Sequence, residues 1–218
     1  MQFNNWSHFH TTEEYSQCTM KQNTIEYTET GTPVDTPTES LPYHEIGEYP
    51  GSVTKGNIIR WMIDGLGYRY YWATESLKSS DLSYRVSQDS RSSLDTLKHV
   101  FDISGFIQGI AKQAYNAPPT DTTSFDFETV RSKTLHNLKE ASQLFGQMSD
   151  HELESLDIKI QVRNKQFSLP LWHLLNGPLS DAIYHIGQVV SMRRASRNPI
   201  NPNVDIFMGK NKAQLRGR

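Results

Sequence analysis

The segment Ser180–Arg194, SDAIYHIGQVVSMRR, is apolar nearly all the way round when it is wound as a helix, with Ile183, Ile186, Val189, Val190 and Met192 spread over its circumference. Such a helix needs neighbours on most of its sides. The segment therefore predicts the middle of a helical bundle rather than a surface element. Polar groups in that setting need partners, because a desolvated carboxylate left alone is costly. Asp181, His185 and Gln188 lie on one face at steps of four and three, so the first two side chains leave the helix about one turn apart and could hold a single metal ion. A salt bridge or hydrogen-bond network with Arg69, Tyr68 or Tyr71 is the other way to satisfy them.

A third ligand has to come from another helix. His99 is the candidate, in DTLKHVFDIS, where Leu94, Leu97, Val100 and Phe101 mark a second amphipathic helix. Two imidazoles and a carboxylate around one ion leave coordination positions open for water or substrate.

The rest of the chain supplies the neighbours. Between Thr54 and Leu77, Ile59, Met62, Ile63, Leu66, Tyr70, Ala73 and Leu77 recur at three- and four-residue steps, which predicts the first helix. Beside that stripe runs a second, Trp61, Gly65, Tyr68, Trp72 and Glu75, which reads either as core aromatics with a solvated carboxylate or as a pocket wall. Gly65 and Gly67 are unfavourable inside a helix, so close approach of another backbone or a ligand is a motive for them. The second helix spans Ser90 to Ala114, opening on serine caps and ending before Ala117-Pro118-Pro119. The third spans Ser124 to Met148, with Phe127, Val130, Leu138, Ala141 and Phe145 inside and Arg131, Lys133 and Glu140 outside. Alternation from Leu156 to Val162 predicts a strand, returned through Arg163-Asn164-Lys165 to a second at Gln166–Ser168. A short helical segment, LWHLLNG, should stop at Asn176-Gly177, with Pro178 in the first turn of the fourth helix. Arg193, Arg194 and Arg197 close that helix against its dipole. The predicted fold is all-α: a four-helix bundle with a long crossover carrying a short β-hairpin between helices 3 and 4.

Residues 1–50 are polar and punctuated by prolines, and read as an extended arm in which Thr11 and Glu14 could cap a short helix; the bundle fills 51–198, and 199–218 form an extended tail tacked down by Val204, Ile206 and Phe207. With 218 residues the chain suits one domain. Its 22 basic and 24 acidic residues, with no basic run, argue against a nucleic-acid surface. A single cysteine, Cys18, excludes an internal disulfide and suits a reducing compartment. The opening MQFNNWSHFHTTEEY has no basic flank followed by an apolar run, and no apolar stretch approaches the ~20 residues needed to span a bilayer. The expectation is a cytoplasmic protein without a membrane partner.

Four helices, the hairpin-bearing crossover and HIGQVVSMRR in the last helix together resemble the DinB/YfiT-like four-helix bundle superfamily. Members often carry a histidine late in the second helix and an HxxxHRGQ-like segment in the fourth. His99 matches the first; His185, Gly187 and Gln188 match the second, with Ile186 where arginine is usual and Asp181 in place of the other histidine. The resemblance covers residues 54–197. DGLGYRYYWATESL and NGPLSDAIYHIGQ also look like an uncharacterised DinB-like subgroup, which carries no activity to pass on. The resemblance implies a bundle with three metal ligands at one end of a pocket, often a homodimer, in a superfamily of thiol-dependent isomerases and transferases and metal-dependent hydrolases that does not bind DNA.

On this reading His99, Asp181 and His185 hold a divalent ion, zinc with nickel or iron as alternatives, that activates water or a thiol in a hydrolase or thiol-dependent transferase. Glu75 is the expected proton acceptor, and Tyr68, Tyr71 and Arg69 the residues that orient an anionic small-molecule substrate. The alternative is a non-catalytic bundle that binds a partner or dimerises, with Asp181 and His185 in a buried polar network.

Overall fold

Local signals start each long helix where the periodicity asks for one. In the computed structural model, which describes residues 40–116 and 121–212, Thr54 caps helix α1 (Lys55–Thr74) by accepting the Asn57 N–H. After the single turn α2 (Ser79–Leu82), a reciprocal capping box between Ser92 and Asp95 opens α3 (Ser93–Ala111). Asp126 caps α4 (Phe127–Gln147), and a second capping box, Ser149 with Glu152, starts the short α5 (Asp150–Glu154). Strands β1 (Asp157–Val162) and β2 (Lys165–Pro170) pair antiparallel, Ile160 opposite Phe167. The chain then turns into α6 (Trp172–Leu174) and α7 (Ser180–Ala195), and ends its described part in a small second hairpin, β3 (Val204–Asp205) with β4 (Lys210–Asn211). The protein is thus helix-rich with two small antiparallel hairpins.

Helix α1 packs on α4 and α7, and α3 packs on the same two. Their shared core gathers Ile63, Leu66 and Tyr70 of α1, Leu97, Val100 and Ile107 of α3, Leu135, Leu138 and Phe145 of α4, and Ile186 and Val189 of α7. Among the described residues no helix is long and apolar enough to cross a membrane.

Several expectations change. Tyr43 and Ile46, from the end of the stretch read as a polar arm, are buried, and Tyr43 joins the main core. The earlier part of that arm, with Thr11 and Glu14, lies outside the described residues, as do the Ala117–Pro119 break and the chain end after Lys212. The tail is not merely extended. It folds into the β3–β4 hairpin, with Val204 against the Ile46, Tyr68 and Trp72 cluster, while Phe207 is almost fully exposed. Arg131, expected outside, is buried beside Thr74 and Glu75.

No other backbone meets α1 at Gly65, whose nearest neighbour is the Arg69 side chain of the same helix; at Gly67 the close approach comes from a side chain, the Tyr43 ring, which lies so tightly on α1 that an added Cβ would run into it. Replacing Gly67 by alanine should destabilise the protein by about 1–3 kcal/mol through overpacking, despite alanine's better helix propensity. Urea unfolding measures it; an unchanged or raised midpoint would mean that Tyr43 does not pack there in solution.

The start of α7 departs most from expectation. Asn176-Gly177 does not stop the helix; the chain passes through a π turn, Leu175–Leu179, that contains Pro178 and runs straight into α7. A wider turn tolerates a residue that has no N–H to donate. The Ser180 hydroxyl donates to the Leu175 carbonyl at 2.7 Å, satisfying an acceptor that regular helix would have used. Nor is α7 enclosed on all sides: Ala182, Ile186, Val189 and Met192 are buried, whereas Ile183 and Tyr184 are exposed. One face packs on α1 and α3, and the other leaves Ile183 and Tyr184 open to the surface.

Candidate metal centre

The π turn delivers Asp181 and His185 on the face of α7 that meets α3, and α3 brings His99 opposite from its second turn, early in the helix and not late as in the family pattern it was matched to. Taking one ligand atom from each of the three residues, all lie within 4.8 Å of one another. Nε2 of His185 is 3.4 Å from one Asp181 oxygen and Nε2 of His99 3.6 Å from the other. The two imidazoles meet edge to face, centroids 4.7 Å apart and planes at 83°. Both nitrogen–oxygen distances exceed an ordinary N–H···O bond. The two contacts run to different oxygens of the carboxylate, so the three side chains surround a space that a small rotation of Asp181 could close around one ion. His185 is largely buried at 13% side-chain exposure, whereas Asp181 is 48% exposed, so the open side on which a further ligand could reach an ion lies at the carboxylate.

Gln188 decides which nitrogen of His185 is available. Its side-chain amide lies 2.8 Å from Nδ1, so that nitrogen is engaged and Nε2 is the one that faces Asp181. This is the usual arrangement behind a metal-ligating histidine. The sequence placed Gln188 on the right face without revealing this partner. Substituting Gln188 by leucine should weaken zinc binding by about 10–100-fold while leaving the helical content unchanged. Competition with a chromogenic chelator reads the affinity; an undiminished value would remove Gln188 from the site.

His99 is prepared for ligation differently. Burial first, then the Arg91 charge and the neighbouring His185, hold its imidazole below the ordinary histidine range, against the opposing pull of Asp181. A neutral imidazole is the form that binds a metal.

A cleft of about 680 Å³ runs along α7 beside His185, walled by the chain that leads into α3. None of Glu75, Tyr68, Tyr71 and Arg69 lines it. Glu75 closes α1 and pairs with the buried Arg131, whose Nε also donates to Thr74 Oγ1 at 3.1 Å. Tyr68 is fully buried and donates to the Lys210 carbonyl at 3.0 Å; burial pushes its phenol up to about 12. Tyr71 packs edge-on against His44 and Trp72, with the Arg131 guanidinium over its ring. Arg69 donates to the Gly65 carbonyl one turn back. The second stripe of α1 thus holds the segments on either side of the helices together, and its side chains have structural partners. The ligand cluster gathers without them.

Comparison of the chain with protein-family models, with curated proteins and with solved structures finds no match.

Proposed function

We propose that the protein is a metal-dependent enzyme of the DinB-like four-helix bundle group, a hydrolase or thiol-dependent transferase acting on a small molecule, with a divalent ion held by His99, Asp181 and His185. The observation that carries this reading is the convergence of two imidazole nitrogens and a carboxylate from two helices, with one of these ligands, His185, also lining an open cleft. A divalent ion held there supplies Lewis acidity and lowers the pKa of a water or a thiol. The protein's own contribution is positional. Gln188 holds the Nδ1 side of the His185 ring, burial lowers the His99 pKa and so favours its neutral form, and the half-exposed Asp181 leaves one side of the cluster accessible. The packing of α1 and α3 against both α4 and α7 agrees with a four-helix bundle in which the cluster sits toward one end of the fourth long helix.

Two histidines with a carboxylate accept zinc, and also iron or nickel, so the ion is to be identified by loading. The test is a panel of ester, amide and thiol-transfer reactions run with zinc-, nickel- and iron-loaded protein, with chelator-treated protein, and with Asp181→Ala. The expected result is turnover that requires one metal, disappears with the chelator, returns on reloading, and is absent from the variant. A folded wild type that takes up no metal, and whose stability is indifferent to chelators, would contradict the proposal and leave the non-catalytic bundle as the account of the chain.

A further inference from the structure

We propose that the cleft beside the metal ligands binds an organic monocarboxylate, its acid group at Arg91 and its apolar body along Val86, Ile183 and Tyr184. This names the substrate class of the site described above, and to that extent rests on the metal reading.

Size comes first. About 680 Å³ is within the range of small-molecule sites. Charge comes second: no aspartate or glutamate lines the cleft, and Arg91 is the charged residue that does. Arg85, six residues earlier, is committed to Asp95 and to the Ser90 carbonyl. Among the described residues Arg91 has no hydrogen bond or ion pair, and its charge nevertheless acts on His99. A guanidinium offers a planar fork that matches a carboxylate. One such fork, unaided by a second cation, suits a single negative charge better than a phosphate dianion.

The apolar side chains complete the description. Val86, Tyr184 and Ile183 expose 71, 65 and 40% of their surface, and all three line the cleft. Nothing in the packing of α7 needs them, since its core contacts are made by Ala182, Ile186 and Val189 on the opposite side. Gathered around one cation, they fit a ligand that is apolar along its length and acidic at one end.

The experiment is calorimetric titration of the zinc-loaded full chain with 3-phenylpropanoate and with its neutral amide. The acid should bind about tenfold or more tightly than the amide, and Arg91→Gln should remove that preference while the zinc content stays unchanged. Tyr184→Ser should weaken both ligands together. Equal binding of acid and amide, no binding of either, or an Arg91→Gln variant that keeps the preference would overturn the inference. The same titration on the Asp181→Ala protein separates it from the metal reading, because Asp181 does not line the cleft. An acid preference that persists there through Arg91, with no metal in the wild type, would retain the cleft and dismiss the ion. Stoichiometric metal with no role for Arg91 would do the reverse.

Discussion

Replacing Arg193 by alanine should destabilise the protein by about 3–5 kcal/mol, lowering its melting temperature by roughly 10 °C. In sequence Arg193 is one of three arginines that close the fourth helix against its dipole. The structure buries it at 3% exposure and gives its guanidinium work on two segments. Nη1 donates to the Trp72 and Ala73 carbonyls at 2.9 and 3.0 Å, which are among the unpaired acceptors at the end of α1, and Nε donates to the Asn198 carbonyl at 2.6 Å. Asn198 in turn donates to the buried Asp81 at 2.7 Å, as does the Ser196 hydroxyl. Burial acts to raise the Asp81 pKa, but these hydrogen bonds, the Lys78 N–H and the Arg193 charge together hold it below the usual carboxylate range. Loss of the guanidinium therefore leaves helix carbonyls, a backbone carbonyl and a carboxylate without their donor or counter-charge at once. Arg193→Lys keeps the charge without the fork and should recover only part of the loss. Chemical denaturation of the three proteins measures it; a change below about 1 kcal/mol for Arg193→Ala would mean that this junction is solvated.

Zinc should stabilise the wild type by about 2.7 kcal/mol at a free concentration one hundred times its dissociation constant, a rise in melting temperature of roughly 5–10 °C. His185→Ala should show none of it. The effect should depend on pH with a definite sign. In the folded protein His99 has a pKa below its unfolded value of about 6.5, so as the pH falls the unfolded chain takes up its proton first. The contribution of His99 to stability is thus complete above that value and is lost as the pH falls through it toward the folded pKa. Metal binding follows the same direction, because protons compete for the imidazoles. Thermal unfolding with and without zinc between pH 5 and 8 should show the zinc-dependent gain shrinking toward acid. A gain that grew toward acid, or that survived in His185→Ala, would contradict the ligand assignment.

Asp181 and His185 were legible because both sit on one helix, where a spacing of four settles which face they share. His99 was legible for a weaker reason: an amphipathic stripe defines which side of α3 is polar, but not which helix faces it. The roles expected for Glu75, Tyr68, Tyr71 and Arg69 failed to appear in the cleft because what covers the second stripe of α1 is remote in sequence. Tyr68 meets the β4 strand more than a hundred residues away, and Trp72 donates to the carbonyl of His44. Periodicity carries no record of such contacts. Arg131 and Arg193 share a different difficulty. A guanidinium on a helix reads as solvated until the acceptors that surround it are known, here Thr74 and Glu75 for the one and the end of α1 for the other. The even spread of apolar residues in α7 misled in the opposite direction, since Ile183 and Tyr184 face the cleft instead of a further helix.

Metal content tests the His99, Asp181 and His185 cluster most directly. The measurement is emission spectroscopy on protein purified without a metal-affinity tag and offered zinc, nickel or ferrous iron before desalting, beside Asp181→Ala and His185→Ala prepared identically. The predicted result is close to one ion per wild-type chain, with little or none in either folded variant. Wild-type protein that retains no ion, or variants that retain as much as the wild type, would show that His99, Asp181 and His185 do not form a metal site.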